Sequence, residues 1–285
     1  MTHFSVLVVG NDIDAALEPY QQASSGDVPR EFLQFVDRED ELRQEYESDG
    51  EDKTVVLRSG EVRGFYDTRF IVEGTYAYPE GARIVVGKPY REMYPTFEDF
   101  VSAFEGLKAR DSEMGRFGTW SNPNGKWDWY QLGGRWSGFF HLKAGTHGKL
   151  GSRSPFLAGV DVTGTLADSC YVADIDFEKT AHRAGAAAGA NWDEVQSMGL
   201  SQRALQAGFS IGPAMTRDRF VKQAEDRCCA VAALVYEGKW YEYMGEPLWG
   251  GEEVIRSEED WFDAVTRRVI GLPGHLRVSI VDCHR

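Results

Sequence analysis

The sequence predicts an α+β protein with a mixed, largely antiparallel central sheet, flanking helices and a partly helical insertion. Short runs with strand-like alternation are separated by turn residues, and helical patterns begin at capping residues such as Thr96 and Ser257. Strands and helices follow one another without the regular alternation that parallel sheets need. Antiparallel pairing is therefore favoured.

The N-terminal half supplies one clear strand and one clear helix. Residues 3–9 alternate and are rich in β-branched side chains, and Gly10-Asn11-Asp12 forms a turn before a short helix. The acidic stretch 37–52 is typical of a solvated helix and loop, because its carboxylates lack the spacing of a calcium loop. After Thr96, apolar residues at helical spacing are expected in a core: Phe97, Phe100, Val101, Phe104 and Leu107.

The centre and the C-terminal part continue the pattern. Residues 127–132 and 135–143 are expected to form two arms of a hairpin around Gly133-Gly134, followed by a loop rich in Gly, Ser and Thr. The next elements are expected to be a helix capped by Asp176, a helix after Thr216, a hairpin within 229–243, the helix after Ser257 and a last strand over 276–282.

We expect one domain made of two terminal parts and an insertion. Residues 1–144 form the N-terminal part with the aromatic hairpin, 145–215 a loop-rich, partly helical insertion, and 216–285 the completing helix, hairpin, helix and strand. The first and last strands are expected to lie side by side, with the insertion covering the site.

Composition excludes several classes of protein. The formal charge of −14 disfavours a nucleic-acid partner, since phosphate binding relies on Lys and Arg. No apolar run is long enough to span a bilayer, and the N-terminus lacks the basic region of a signal peptide. The four cysteines contain no C-x-x-C pair, which is typical of reduced thiols in a cytoplasm.

The stretch NPNGKWDWYQLGGRWSGFF at 122–140 is the strongest candidate for a binding site. Tryptophan and tyrosine can stack on a flat ring, arginine grips phosphate or carboxylate, and glycines let backbone N–H groups approach an anion. The expected ligand-binding residues combine these properties: Lys126, Trp127, Trp129, Tyr130, Gly133, Gly134, Arg135 and Trp136. The alternative is a hairpin with core tryptophans in which Arg135 pairs with Asp128.

A second group of polar residues lies at the end of the chain. Asp282 and His284 project to one side of the last strand and Cys283 to the other, which disfavours a Cys–His nucleophile. If the terminal strands pair, His3 lies nearby. An enzyme would use Asp128, Asp282 and His284 as acid–base residues. The alternative is a frayed terminus.

The sequence predicts no metal site and names no cofactor. The carboxylates of Asp174 and Asp176 could supply oxygen ligands to a metal ion, but capping of the next helix is the simpler interpretation.

The string WDWYQLGGRWSGF resembles a segment of uncharacterised bacteriophage proteins, especially those of actinobacterial phages. The opening HFSVLVVG, the YPTFEDF helix and the closing VSIVDCH resemble the same family, as does the Trp249-Gly250 element, although EPLWGG departs from its pattern. The resemblance implies a phage protein acting in the cytoplasm of an infected bacterial host. It implies no mechanism.

Three functions are open. The first is a binding protein that sequesters a small nucleotide-like or phosphorylated ligand, as in counter-defence. The second is a hydrolase or transferase acting on such a ligand, so that enzymatic activity is left undecided. The third is a protein-interaction or virion-associated module with a host protein partner, because Trp and Arg also favour interfaces.

Overall fold

The computed structural model describes residues 2–25, 28–48, 51–65, 68–72, 75–104, 106–152, 159–197, 215–243 and 257–285. The chain divides into two compact units: Met1–Phe32 with Asn122–Arg285, and Leu33–Ser121. Every predicted site residue belongs to the first, larger unit.

The larger unit contains the terminal strands, the aromatic segment and most of the helices. Its helices are α1 Ile13–Leu17, α5 Phe177–Ser197, α6 Arg217–Asp226 and α7 Glu258–Ile270. Its strands are β1 His3–Val9, β9 Trp129–Leu132, β10 Phe140–His141, β11 His147–Leu150, β12 Val160–Thr163, β13 Leu166–Ala167, β14 Ser169–Tyr171, β15 Ala233–Tyr236, β16 Lys239–Glu242 and β17 Arg277–His284.

Eight of these strands form one mixed sheet in the order β12-β11-β14-β17-β1-β15-β16, with β9 also paired to β17. Only the pairing of β1 with β15 is parallel among these neighbours. The predicted α+β class with a largely antiparallel sheet is confirmed. The expected pairing of the terminal strands is also observed, with His3 opposite His284 and Val9 opposite Val278.

Strand β17 lies in the middle of the sheet and organises the site. β1 pairs along one of its edges, while β14 and β9 share the other: β14 pairs with residues 277–279 and β9 with residues 281–284. The strand is buried over most of its length because each face packs against a separate apolar cluster. Leu7 and Ile280 belong to one cluster, Val6 and Val281 to the other.

Local sequence explains where the flanking helices begin. The side chains of Asp12, Thr216 and Ser257 accept hydrogen bonds from backbone N–H groups in the first turn of α1, α6 and α7. In α7, Trp261 and Val265 are among the buried residues that pack on the sheet, as the apolar spacing predicts. Among the described helices, none has the length and apolar character needed to cross a membrane.

The smaller unit has its own core. Its helices are α2 Glu39–Glu47, α3 Tyr90–Met93 and α4 Phe97–Phe104; its strands are β2 Gln34–Asp37, β3 Glu51–Val56, β4 Val62–Gly64, β5 Ile71–Val72, β6 Thr75–Tyr76, β7 Arg83–Pro89 and β8 Gly118–Ser121. Phe97, Phe100 and Val101 are buried with Leu42 and Phe117. The side chain of Phe104 lies outside the described part.

Residues 145–215 are predicted to be a loop-rich, partly helical insertion, and their described part contains more regular structure. β11, β12 and β14 belong to the central sheet, and α5 follows them. Gly148 explains one concealed strand: a Cβ there would lie 2.8 Å from the side chain of Ala167, so close strand packing requires glycine. Composition rich in Gly, Ser and Thr therefore conceals short strands here.

Candidate functional site

Three aromatic rings form a row across three neighbouring strands at one end of the central sheet. Trp129 on β9 is the register partner of His284 on β17, which is the register partner of His3 on β1. The ring centroids of His3 and His284 are 5.0 Å apart, and those of His3 and Trp129 are 6.2 Å apart. The strand pairing therefore brings the two ends of the chain and the aromatic segment together.

His3 is held by a carboxylate from the neighbouring strand. Its Nδ1 lies 2.8 Å from Oδ1 of Asp282, and the Asp282 side chain is completely buried beneath it. The other oxygen of Asp282 accepts a hydrogen bond from the backbone N–H of Arg135 at 3.0 Å. A carboxylate fixed at both oxygens sets the orientation and tautomer of the imidazole.

His284 has a separate carboxylate partner. Its Nδ1 lies 2.7 Å from Oδ1 of Asp128, and the backbone N–H of Asp128 donates to the carbonyl of His284 at 3.0 Å. The alternative pairing of Asp128 with Arg135 is not what the structure has. Asp282 and Asp128 therefore each orient one of the two imidazoles.

Both histidines keep one ring nitrogen available. The side chains of His3 and His284 are 20% and 15% exposed, and no hydrogen bond engages either Nε2 among the described residues. Two imidazoles, each oriented by its own carboxylate, can accept and donate protons at adjacent positions. This arrangement can perform general acid–base chemistry.

The glycine turn is occupied by the protein's own carboxylates. Gly134 has a φ of +53°, and a Cβ there would lie 2.4 Å from Cβ of Asp282. Gly133 has a φ of +70°, and its Cβ would lie 2.2 Å from Oδ2 of Asp168. The turn was expected to present backbone N–H groups to a bound anion. Asp282 instead takes the Arg135 N–H.

Asp168 was not predicted, and it holds the loop that follows the glycines. It is completely buried and accepts backbone hydrogen bonds from Gly138, Phe139 and Gly151 at 2.6, 3.0 and 2.8 Å. Burial raises the pKa of its carboxyl, and these hydrogen bonds oppose the rise only in part. No sequence spacing indicates this role, because its partners are backbone groups.

The two predicted cations differ in availability. Nζ of Lys126 lies 2.9 Å from Oε1 of Glu242, so its charge is already paired. Arg135 is exposed, and within the described residues no hydrogen bond or ion pair engages its guanidinium. Its backbone N–H donates to the carboxylate that holds His3, so the residue itself lies next to the site.

The other predicted aromatic residues lie outside the ring row. Trp127 is only 6% exposed, and its indole N–H donates to the carbonyl of Leu17 at 3.0 Å, so it is a core residue. The sequence predicts Trp127 as a ligand-binding residue, whereas the structure places its side chain in the core. It packs edge-to-face against Tyr130, on the opposite face of the sheet from Trp129. Trp136 packs against the cluster on the His3 face.

The position of Tyr130 is explained by a hydrogen bond, and the position of Cys283 is explained by burial. The Tyr130 hydroxyl donates to Asp14, and burial together with this contact raises its pKa. Cys283 points away from the histidines, as predicted, and burial raises the pKa of its thiol. A neutral buried thiol is a poor nucleophile.

The sequence offers Asp174 and Asp176 as candidate metal ligands, and the structure gives Asp176 a capping role instead. Oδ1 of Asp176 accepts the backbone N–H of Lys179 at 3.0 Å, which caps α5. Within the described ranges, no group of three or more His, Cys, Asp or Glu side chains is arranged to hold a metal ion. The element around Trp249 lies outside the described residues.

The observed site differs from the predicted one mainly because strand pairing places His3 in it, beside His284. The signal for it was the expected side-by-side position of the terminal strands. The chain matches no family model, no curated protein and no solved structure.

Proposed function

We propose that the chain is an acid–base enzyme, a hydrolase or transferase acting on a small nucleotide-like or phosphorylated ligand. One observation carries the proposal: His3 and His284 lie side by side, and each has Nδ1 on its own carboxylate. An imidazole held in this way keeps Nε2 free to move a proton.

Catalysis explains the two carboxylates better than binding alone does. A pocket that only stacks a ring and pairs a phosphate needs Trp129 and Arg135, but it does not need Asp282 buried beneath His3. Burying a carboxylate is costly unless its partners compensate. An oriented proton acceptor is a use for that arrangement.

The ligand class follows from the two groups beside the histidines. Trp129 is 37% exposed and its ring contacts that of His3, so it can stack on a base. The free guanidinium of Arg135 is suited to a phosphate. These same two residues favour the second candidate, a protein that sequesters the ligand without turnover. The phage setting and a counter-defence role stay predictions.

The test is hydrolysis of bis-para-nitrophenyl phosphate and of a panel of nucleotides by purified protein. General acid–base groups contribute about 10²–10⁴-fold, so His284→Ala and His3→Gln are expected to lower kcat by that factor. His147→Ala is the matched control, because His147 lies on β11 of the same sheet and contacts Thr163 instead of a carboxylate.

The outcomes separate the two candidates. Turnover that His147→Ala keeps and both site variants lose, with folding unchanged, supports the enzyme. Stoichiometric ligand binding without turnover, lost in Trp129→Ala and Arg135→Ala proteins that stay folded, supports the binding protein and contradicts the enzyme.

A further inference from the structure

We infer that the substrate is a small ribonucleotide containing a phosphodiester, and that the ribose 2′-hydroxyl next to the phosphorus is the nucleophile. This inference rests on the proposed function and names the substrate class of the same site. It is carried by the pair of histidines, the partners that they have and the aromatic ring beside them.

The histidines contact no nucleophile of the protein. The partner of His3 is Asp282 and the partner of His284 is Asp128, so neither imidazole is bonded to a serine, threonine or cysteine among the described residues. The nearest thiol in sequence, Cys283, is buried on the other face of the sheet. The attacking group must therefore come from the substrate or from water.

The close pair favours a substrate that brings its own nucleophile. The ring centroids are 5.0 Å apart, so both imidazoles can reach one reacting centre. Where two catalytic groups must also hold an attacking water, they are spaced more widely, as the carboxylates of inverting glycosidases are. A ribose hydroxyl already lies beside its phosphorus and needs no additional space.

The reaction balances with these two groups alone. One neutral imidazole takes the proton of the 2′-hydroxyl while the O2′–P bond forms. The other, protonated, imidazole gives its proton to the leaving 5′-oxygen while the P–O5′ bond breaks. The products are a 2′,3′-cyclic phosphate and a free 5′-hydroxyl, and the two histidines have exchanged protonation states.

Trp129 and Arg135 suit the rest of such a substrate. A base stacked on Trp129 lies one sugar away from a phosphate at the histidines, because the rings of Trp129 and His3 are 6.2 Å apart. The free guanidinium of Arg135 can pair with that phosphate. The chain's formal charge of −14 disfavours long nucleic acids, so the substrate is small.

The experiment compares a 3′,5′-linked uridine–adenosine diribonucleotide with its 2′-deoxy analogue, with bis-para-nitrophenyl phosphate run in parallel. We expect the ribose compound to yield the 2′,3′-cyclic phosphate and the deoxy compound to stay intact. His284→Ala, purified in the same way, is expected to lose about 10²–10⁴-fold, which excludes a contaminating nuclease.

Each other outcome has one meaning. Equal cleavage of both dinucleotides, or cleavage of bis-para-nitrophenyl phosphate alone, overturns the 2′-hydroxyl inference and leaves the proposed acid–base function standing. Cleavage of none of the three compounds overturns the 2′-hydroxyl inference, and no turnover on the nucleotide panel as well overturns the proposed function.

A second comparison tests the base-stacking part of the inference. Trp129→Ala is expected to raise KM for the diribonucleotide about tenfold or more, the loss of one stacked base, with a smaller effect on kcat. Tyr171→Ala is the matched control, because Tyr171 is 41% exposed on β14 of the same sheet. Equal changes in the two variants would remove Trp129 from the binding site.

Discussion

The glycine turn beside Asp282 allows a sharp test of how the site is held, through the substitution Gly134→Ala. The new Cβ would lie 2.4 Å from Cβ and 2.5 Å from Oδ2 of Asp282, which real structures do not tolerate. The carboxylate would have to move away from its two partners, the imidazole of His3 and the backbone N–H of Arg135.

The chain offers a control that separates steric conflict from backbone strain. Gly145 has a φ of +79°, and nothing lies within 4 Å of a Cβ built on it. Gly145→Ala therefore pays only the left-handed strain of about 1–2 kcal/mol. Gly134→Ala carries that strain and an overpacking cost of about 1–3 kcal/mol. The effect of alanine on the unfolded chain is common to both and cancels.

Urea unfolding followed by tryptophan fluorescence measures the difference. We expect Gly134→Ala to reduce the free energy of unfolding by about 2–5 kcal/mol, about 1–3 kcal/mol more than Gly145→Ala. The activity of the proposed enzyme should fall in Gly134→Ala alone. Equal destabilisation by both substitutions would refute the claim that the turn is built around Asp282.

Three further substitutions test burial and charge. Trp127→Ala should cost about 3–5 kcal/mol in urea unfolding, because its side chain is in the core, and Trp129→Ala much less; equal losses would contradict their placement. Asp168→Asn should lower the free energy of unfolding by about 1–3 kcal/mol in the same assay, because asparagine replaces one of the two accepting oxygens with an NH2 group. An unchanged unfolding midpoint would contradict this. Hydrogen bonding to Arg110 lowers the pKa of Glu39 from 4.5 to about 2. The ionised Glu39 carboxylate therefore stabilises the folded protein above pH 4.5, and this contribution is lost as the pH falls towards 2. Acid titration should therefore show that Glu39→Gln removes this pH dependence; parallel curves would argue against it.

Local patterns in the chain were sufficient for much of the fold. The caps at Thr216 and Ser257, the apolar spacing of α7 and the alternation of the last strand all lead to observed elements. These features depend on neighbours within one helical turn or one strand. The strands between 145 and 171 were missed because they are short and lie in a stretch rich in Gly, Ser and Thr. Gly148, a poor strand former, also occupies one of them at a point of close packing.

For the candidate site, residue type was a good guide to some members and a poor guide to others. Asp128, Asp282 and His284 do lie together, and the opposite directions of His284 and Cys283 follow from strand geometry. A tryptophan suits a core as well as a stacking surface, so the sequence could not tell Trp127 from Trp129.

By itself, the sequence determined the α+β class, the positions of most helix starts, the direction of side chains along the last strand and the segment where the site lies. Tertiary structure decided which residues meet. The pairing of β1 with β17 joins His3 to Asp282 across 279 residues of chain, and β9 adds Asp128 to His284. Such contacts depend on strand register between distant segments, which no local pattern of residues encodes.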